Sequence, residues 1–315
     1  MTRCTVVLLG LALIHQPVKA QTDGERFAGD PLLIGAGARS LALGGAYVAL
    51  SDDATSVYWN AAGLARLDRG EVQAQHTEQF GGTVNHDLLT LSLPTRAGGL
   101  GAGLIRVSVD GIKRTQLENE GEPLGPDNRP EVLSKIGTSD YALYLGFGKS
   151  IRPRLRAGAT IKVVWRNLAV GSGSGFGFDA ALQYAATPNL MAGFVIRDVT
   201  RTRISFDTGS RDEIPPSILA GLAYVRPIAS ISGTITASLS LHFNEDAASV
   251  ESSQVQKVGL EYAHTAGLAF RLGLDGDHLT AGAGIRVGDR FGADLAFLEN
   301  GDLDNTFRIS ASVYF

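Results

Sequence analysis

The sequence predicts an all-β fold, a transmembrane antiparallel β-barrel of about fourteen strands with a small N-terminal helical plug or hatch. Three observations predict it. Apolar and polar residues alternate with period two through most of residues 70–315, the connections between alternating segments take turns being short and long, and the first twenty residues have the form of an export signal. Composition agrees. Glycine supplies 39 of 315 residues, where the usual share of about 7% would give about 22. Charged residues make up only 19% and the formal net charge is −4. The chain is too apolar for a disordered protein and has no basic excess for nucleic acid. One cysteine cannot form an intramolecular disulfide or a cysteine metal site.

Residues 1–20 read as the signal. Arg3 precedes an apolar run from Cys4 to Ile14, followed by Pro17 and by Val18-Lys19-Ala20, with cleavage expected before Gln21. The run is too short to span a bilayer, and Cys4 lies too early to be a lipoprotein cysteine. Removing the signal removes the cysteine as well.

Residues 21–69 lack the alternation. Gly35 to Leu67 is rich in Ala, Gly and Leu, carries the turn-forming pair Asp52-Asp53, and has capping residues for short helices at Ser51 or Asp53 and at Asn60. An even strand number puts both ends of the barrel on the periplasmic side, so this segment is expected to fold back into the lumen as a plug.

Residues 70–315 form the barrel. The last segment is the most regular: Phe307, Ile309, Ala311, Val313 and Phe315 alternate with Thr306, Arg308, Ser310, Ser312 and Tyr314. Comparable segments lie near 71–79, 86–93, 99–109, 140–149, 154–166, 174–185, 189–197, 217–225, 230–243, 254–264, 267–274, 277–287 and 290–299. Each is close to the ~10 residues a tilted strand needs to cross a bilayer. Short connections alternate with the three long ones, Asp110 to Ser139, Asp198 to Pro216 and Asn244 to Ser253. A soluble sandwich has no reason to sort its loops in this way. The polar stripes carry Arg156, Lys162, Arg166, Asp179, Arg271, Arg286, Asp294 and Arg308, which are expected to face the lumen. Apolar stripes turned inward would leave a void that fourteen strands cannot fill, whereas turned outward they meet lipid. Trp165, Tyr184, Tyr224, Tyr262 and Tyr314 stand near strand ends, as interfacial girdles do. Phe315 ends the last alternating strand, as the signature read by barrel-assembly machinery does.

The N-terminal segment resembles the signature of the PorV/PorQ family, a branch of the FadL-like outer-membrane proteins. The matching elements are Gly37-Ala38-Arg39, Leu43-Gly44-Gly45-Ala46, Asp52-Asp53-Ala54-Thr55 and Tyr58-Trp59-Asn60-Ala61-Ala62-Gly63-Leu64, with Ala61 where the family usually has proline. The resemblance implies a fourteen-stranded barrel with an N-terminal hatch in the bacterial outer membrane. It marks Gly44, Gly45, Asp52, Asp53, Trp59, Asn60 and Gly63 as hatch residues with a structural or gating role. It further implies a component of type IX protein secretion that binds cargo C-terminal domains or scaffolds other secretion subunits. The alternative within the same superfamily is a channel for hydrophobic small molecules such as long-chain fatty acids. Such a channel wants an apolar lumenal pocket, whereas most inward positions read as charged or small.

The residues give no sign of enzyme chemistry. Asp52-Asp53 reads as a turn and helix cap rather than a carboxylate pair. The run GSGSGFG at 171–177 lacks the context of a phosphate loop and reads as an exposed turn. The six histidines have no metal-ligand spacing, and no serine lies in a nucleophile elbow. No cofactor or metal is expected.

Overall fold

The computed structural model describes residues 30–168, 171–244, 253–300 and 304–315. The expected signal, residues 1–20, and the first part of the expected hatch, residues 21–29, lie outside the described residues. The strands are β1 (Glu71–Gln79), β2 (Val84–Thr95), β3 (Gly98–Leu117), β4 (Pro130–Arg152), β5 (Leu155–Leu168), β6 (Gly171–Ala185), β7 (Leu190–Arg197) and β8 (Thr202–Phe206). They continue as β9 (Arg211–Ile214), β10 (Ser217–Ile228), β11 (Gly233–Asn244), β12 (Ser253–His264), β13 (Leu268–Asp275), β14 (His278–Val287), β15 (Phe291–Leu298) and β16 (Thr306–Tyr314).

All pairings are antiparallel. The sheet closes because β1 pairs with β16 and β5 with β6. Two staves are each broken in two. Strand β6 pairs first with β7 (Ala180↔Ile196) and then with β8 (Phe176↔Arg203), while β7 pairs with β10 and β8 with β9. The sixteen strands therefore make a closed barrel of fourteen staves. One cause of the break is Pro215-Pro216, which has no N–H to continue the ladder. Opposite it, Asp198 N donates to the Asp179 carboxylate (2.8 Å) and Val199 N to Phe178 O (2.9 Å).

Each of the fourteen expected segments coincides with a stave, but two of the long connections are more ordered than their sequences indicate. Between 110 and 139, β3 and β4 run on past their last pairings with β2 (Val84↔Val109) and β5 (Ser139↔Asn167) as a two-stranded ribbon. Between 198 and 216 lies the β8–β9 hairpin. The run at 171–177 is not a turn but the start of β6. A side chain at Gly175 would collide with the carbonyl of Arg203 on β8, so glycine there is what lets the hairpin lie against β6.

Burial is inverted relative to a soluble barrel. On β16, Thr306, Arg308, Ser310 and Ser312 are buried while Phe307, Ile309 and Val313 are exposed. On β13, Phe270 and Leu272 are each 57% exposed. An apolar belt of this kind far exceeds the few hundred Å² that soluble monomers expose, and it suits a lipid environment. Trp165, Tyr184 and Tyr224 are exposed on this outer surface, and Tyr262 donates to Ile231 O at 2.7 Å. Tyr314 departs from the expected girdle. Strand parity turns it inward, where it lies between the guanidiniums of Arg69 and Arg286. Phe315 exchanges two backbone hydrogen bonds with Gly70, which joins the end of the chain to the start of β1.

Leu272 lies near the middle of its strand and faces outward. Leu272→Arg is expected to cost about 2–4 kcal/mol in urea unfolding from lipid vesicles. An unchanged midpoint would contradict a lipid-facing belt.

Candidate functional site

The lumen is occupied by residues of the N-terminal segment. It contains a 3₁₀ turn (Asp30–Leu33), helix α1 (Ala38–Ala42), helix α2 (Ser56–Trp59) and a second 3₁₀ turn (Ala61–Arg66). Leu43, Tyr47, Val48, Leu50, Val57 and Leu64 are each no more than 1% exposed. A chain so deeply enclosed must find a partner for every backbone N–H and C=O, and much of that burden falls on the barrel's inward polar side chains.

Gln75 accepts from Gly37 N (2.6 Å) and Glu71 from Ala54 N (2.9 Å). Gln183 donates to Ala49 O (2.8 Å), Thr160 to Val57 O (3.1 Å) and Thr280 to Ala42 O (3.1 Å). Arg308, 1% exposed, spreads its guanidinium over Ile34 O (3.0 Å), Gly37 O (3.3 Å) and Thr77 Oγ1 (3.0 Å). Arg197 donates to Tyr58 O (3.3 Å) and lies 4.5 Å from the centre of that ring.

Within the hatch, Asn60 acts at three places. Its Oδ1 accepts from Ala62 N (3.1 Å), capping the second 3₁₀ turn, and its Nδ2 donates to Val48 O (2.8 Å) and to Leu182 O of β6 (3.1 Å). Helix α2 starts at Ser56 rather than at Ser51 or Asp53, because the Asp53 carboxylate is engaged in an Asx turn, accepting from Thr55 N (2.9 Å). The indole of Trp59 donates to Ala36 O (2.7 Å).

Close backbone approach makes the rest of the seal. Side chains at Gly99, Gly148, Gly158 or Gly193 of the wall would each collide with hatch backbone, at Leu64, Ala61, Ala62 and Val48 respectively. Gly44 combines a φ of +63° with contact against the Leu274 carbonyl, so only glycine fits there. A side chain at Gly63 would collide with the Ser51 carbonyl. Gly45, with φ +74°, passes close to the Lys257 side chain.

Most inward positions read as charged or small from the sequence, and the structure adds an inward apolar patch that this reading did not single out. Leu88, Ile105, Val107, Tyr144, Val164, Ile204 and Ile214 form one apolar cluster with Leu32, Val57, Tyr58 and Trp59 of the hatch. The rings of Tyr58 and Tyr144 meet edge to face at 5.6 Å. A void of about 20 Å³ beside Leu32 and Tyr144 leaves space for about one water.

The charged residues collect in two networks. At the end of the barrel with the short turns, Arg39 of the hatch pairs with Asp52 (2.6 Å) and, through two nitrogens at 2.9 Å, with Glu261 of β12. Glu261 also pairs with Arg271 (2.6 Å), which reaches Asp294 (2.6 Å). Tyr47 donates to Asp53 (2.5 Å) and accepts from Arg39 (3.0 Å). Arg39, Asp52, Asp53, Glu261, Arg271 and Asp294, with Glu71, Arg286 and Tyr314, line a cavity of about 520 Å³. At the stave break, Lys162 pairs with Asp198 (2.6 Å) and Asp179 (3.1 Å), all three being buried. Arg166 pairs with Asp140 (3.0 Å), while Arg156 is half-buried beside the hatch exit. Arg39, Glu71, Gln75, Gln183 and Glu261 were not among the expected lumenal site residues, although the inward stripes of β1, β6 and β12 carry four of them.

Burial works to discharge Arg39, but the charges of Asp52 and Glu261 outweigh it and hold the guanidinium more firmly protonated than free arginine. Burial, followed by the neighbouring Asp52 carboxylate, pushes Asp53 up from its ordinary value against the opposing pull of Arg39 and of the hydrogen bonds from Thr55 and Tyr47.

The geometry is that of a closed fourteen-stave β-barrel of the FadL-like fold with a hatch in its lumen. Solved structures share the fold. The CymD monoaromatic hydrocarbon channel is 13% identical, over 92% of this chain and 98% of that one, with a TM-score of 0.60. The Pseudomonas putida toluene transporter TodX is 14% identical, over 89% and 97%, with a TM-score of 0.58. A Pseudomonas aeruginosa FadL homologue is 12% identical, over 84% and 95%, with a TM-score of 0.50. Residues 12–119, which take in the hatch and β1 to β3, match an uncharacterised protein family, UPF0164. No curated protein matches the chain in sequence.

Because the docked hatch raises Asp53, the docked state holds a proton that the released carboxyl gives up. Docking is therefore expected to weaken as pH rises from about 4 through the raised value, and Asp53→Asn is expected to reduce that slope. Hydrogen exchange of the 54–58 amides, corrected for intrinsic rates, measures it. Equal slopes in parent and variant would refute the assignment.

Proposed function

We propose that the protein is a non-enzymatic outer-membrane component of type IX secretion, exported through residues 1–20, with residues 21–69 as its hatch and 70–315 as its barrel. Its role is to bind the C-terminal domain of secreted cargo, or to scaffold other secretion subunits, at the cell surface. The observation that carries this reading is the division of labour in the molecule: hatch residues fill the lumen while a ribbon stands clear of the wall. Strands β3 and β4 pair only with each other over residues 112–117 and 130–136, extending the ribbon by roughly 20 Å at about 3.4 Å per residue. At its tip Asn128 donates to Asn119 O (3.0 Å) and Glu122 O (3.0 Å) and accepts from Asn119 N (3.0 Å), fixing the loop. Leu124, Val132 and Leu133 of the ribbon are each more than half exposed. Apolar groups on an ordered projection suit a protein partner. The resemblance of the hatch motif to the PorV/PorQ family supports the same role.

A second reading, a channel for hydrophobic small molecules, is favoured by the apolar cluster around Tyr58 and Tyr144. Hatch displacement would open that cluster to a ligand.

Excising residues 112–136 separates the two. Under the first reading the variant inserts normally and cargo with a C-terminal sorting domain accumulates in the periplasm, with hydrocarbon and fatty-acid uptake unchanged. Normal cargo display together with impaired uptake in a full gene deletion would replace the first reading by the second.

A further inference from the structure

The end of the barrel with the short turns carries a ring of exposed cations. Arg96 lies on the β2–β3 turn, Lys149, Arg152 and Arg154 surround the β4–β5 turn, Arg226 stands at the foot of β10, and Arg290 lies on the β14–β15 turn. Among the described residues the exposed carboxylates at this end are Asp68 and Asp289, and none of the six cations forms an ion pair. Exposed carboxylates gather at the other end, with Glu118, Glu120, Glu122 and Asp127 on the ribbon and Asp212 and Glu213 on the β9 hairpin. The whole chain is acidic, at −4, and Lys113, Arg114, Arg129 and Lys135 are exposed on the ribbon, so what marks the ring is the scarcity of carboxylates beside it rather than a basic excess.

The ring continues the apolar belt. Lys149 follows Leu145 and Phe147 on the outward parity of β4, and Arg226 follows Leu222 and Tyr224 on that of β10, all four apolar neighbours being exposed. A long cationic side chain placed just past an outward aromatic lays its methylene stem on the belt and holds its charge at the depth of lipid phosphates. Four turns or strand ends spread around the circumference contribute, as a lipid annulus requires; a protein partner would cover one sector. None of the six lines the lumenal cavity, and the outward parity of Lys149 and Arg226 turns them away from the lumen.

We propose that this collar binds the phosphates of anionic phospholipids in the leaflet at the short-turn end, fixing the depth of the barrel. The inference rests on the membrane-barrel reading and deepens it by naming the lipid class and the residues that select it.

The test places a reporter tryptophan beside the collar, Phe147→Trp in the full chain, and takes the difference from the parent with Trp59 and Trp165 alone. The chain is inserted into vesicles of phosphatidylcholine containing about one-fifth phosphatidylglycerol, either lipid being brominated in turn. Brominated phosphatidylglycerol is expected to quench the reporter about fivefold more per molecule than brominated phosphatidylcholine, the preference falling as salt is added. Replacing Arg96, Lys149, Arg152 and Arg154 by Gln is expected to bring the ratio to about one, whereas neutralising Glu118, Glu120 and Glu122 leaves it unchanged. Equal quenching at low salt in the reporter protein would overturn the proposal and leave the collar to an acidic macromolecule. Absence of quenching by either lipid would instead overturn the membrane reading beneath it.

Discussion

A peptide segment enclosed in a protein must place all its hydrogen-bonding groups, and the hatch meets that demand inside a cylinder whose inner surface is already polar. The two requirements answer each other. Lipid on the outside fixes which face of each strand is apolar, and the polar residues left inside supply the donors and acceptors that irregular backbone needs. Gln183 on Ala49 O, Thr160 on Val57 O and Arg308 on Ile34 O are instances. The glycines of the wall allow these contacts to be made directly from strand to hatch.

Charge adds orientation. Arg39 joins the hatch to β12 through Glu261, and the chain Arg39, Glu261, Arg271, Asp294 links the hatch to β12, β13 and β15. Buried ion pairs of this kind are weak sources of net stability but are costly to leave half-made, so they select one docked arrangement of the hatch. The apolar cluster on the opposite side, built on Tyr58, Trp59 and Tyr144, needs no such pairing and supplies burial instead.

The staves were legible because each has one wet and one lipid-facing side, which writes period two into the sequence. The ribbon and the β8–β9 hairpin were not, since strands with both faces in water carry no alternation; only pairing reveals them. Tyr314 sat on the polar stripe of β16, yet its aromatic character suggested a girdle; parity proved the stronger guide. Arg308 could be assigned an inward direction from its strand, but its partners at Ile34 and Gly37 are more than 270 residues away and no local pattern names them. The same holds for Arg39 and Glu261, 222 residues apart. The glycine excess was visible as a number, whereas its use against hatch backbone follows from the way the barrel closes around that segment.

The account centres on a lumen sealed by residues 30–67, and single-channel conductance in planar bilayers tests it most directly. The intact chain is expected to hold the bilayer closed, and deletion of residues 30–67 is expected to give a steady, voltage-independent current through the emptied barrel. A persistent current through the intact chain, unchanged by the deletion, would contradict the seal.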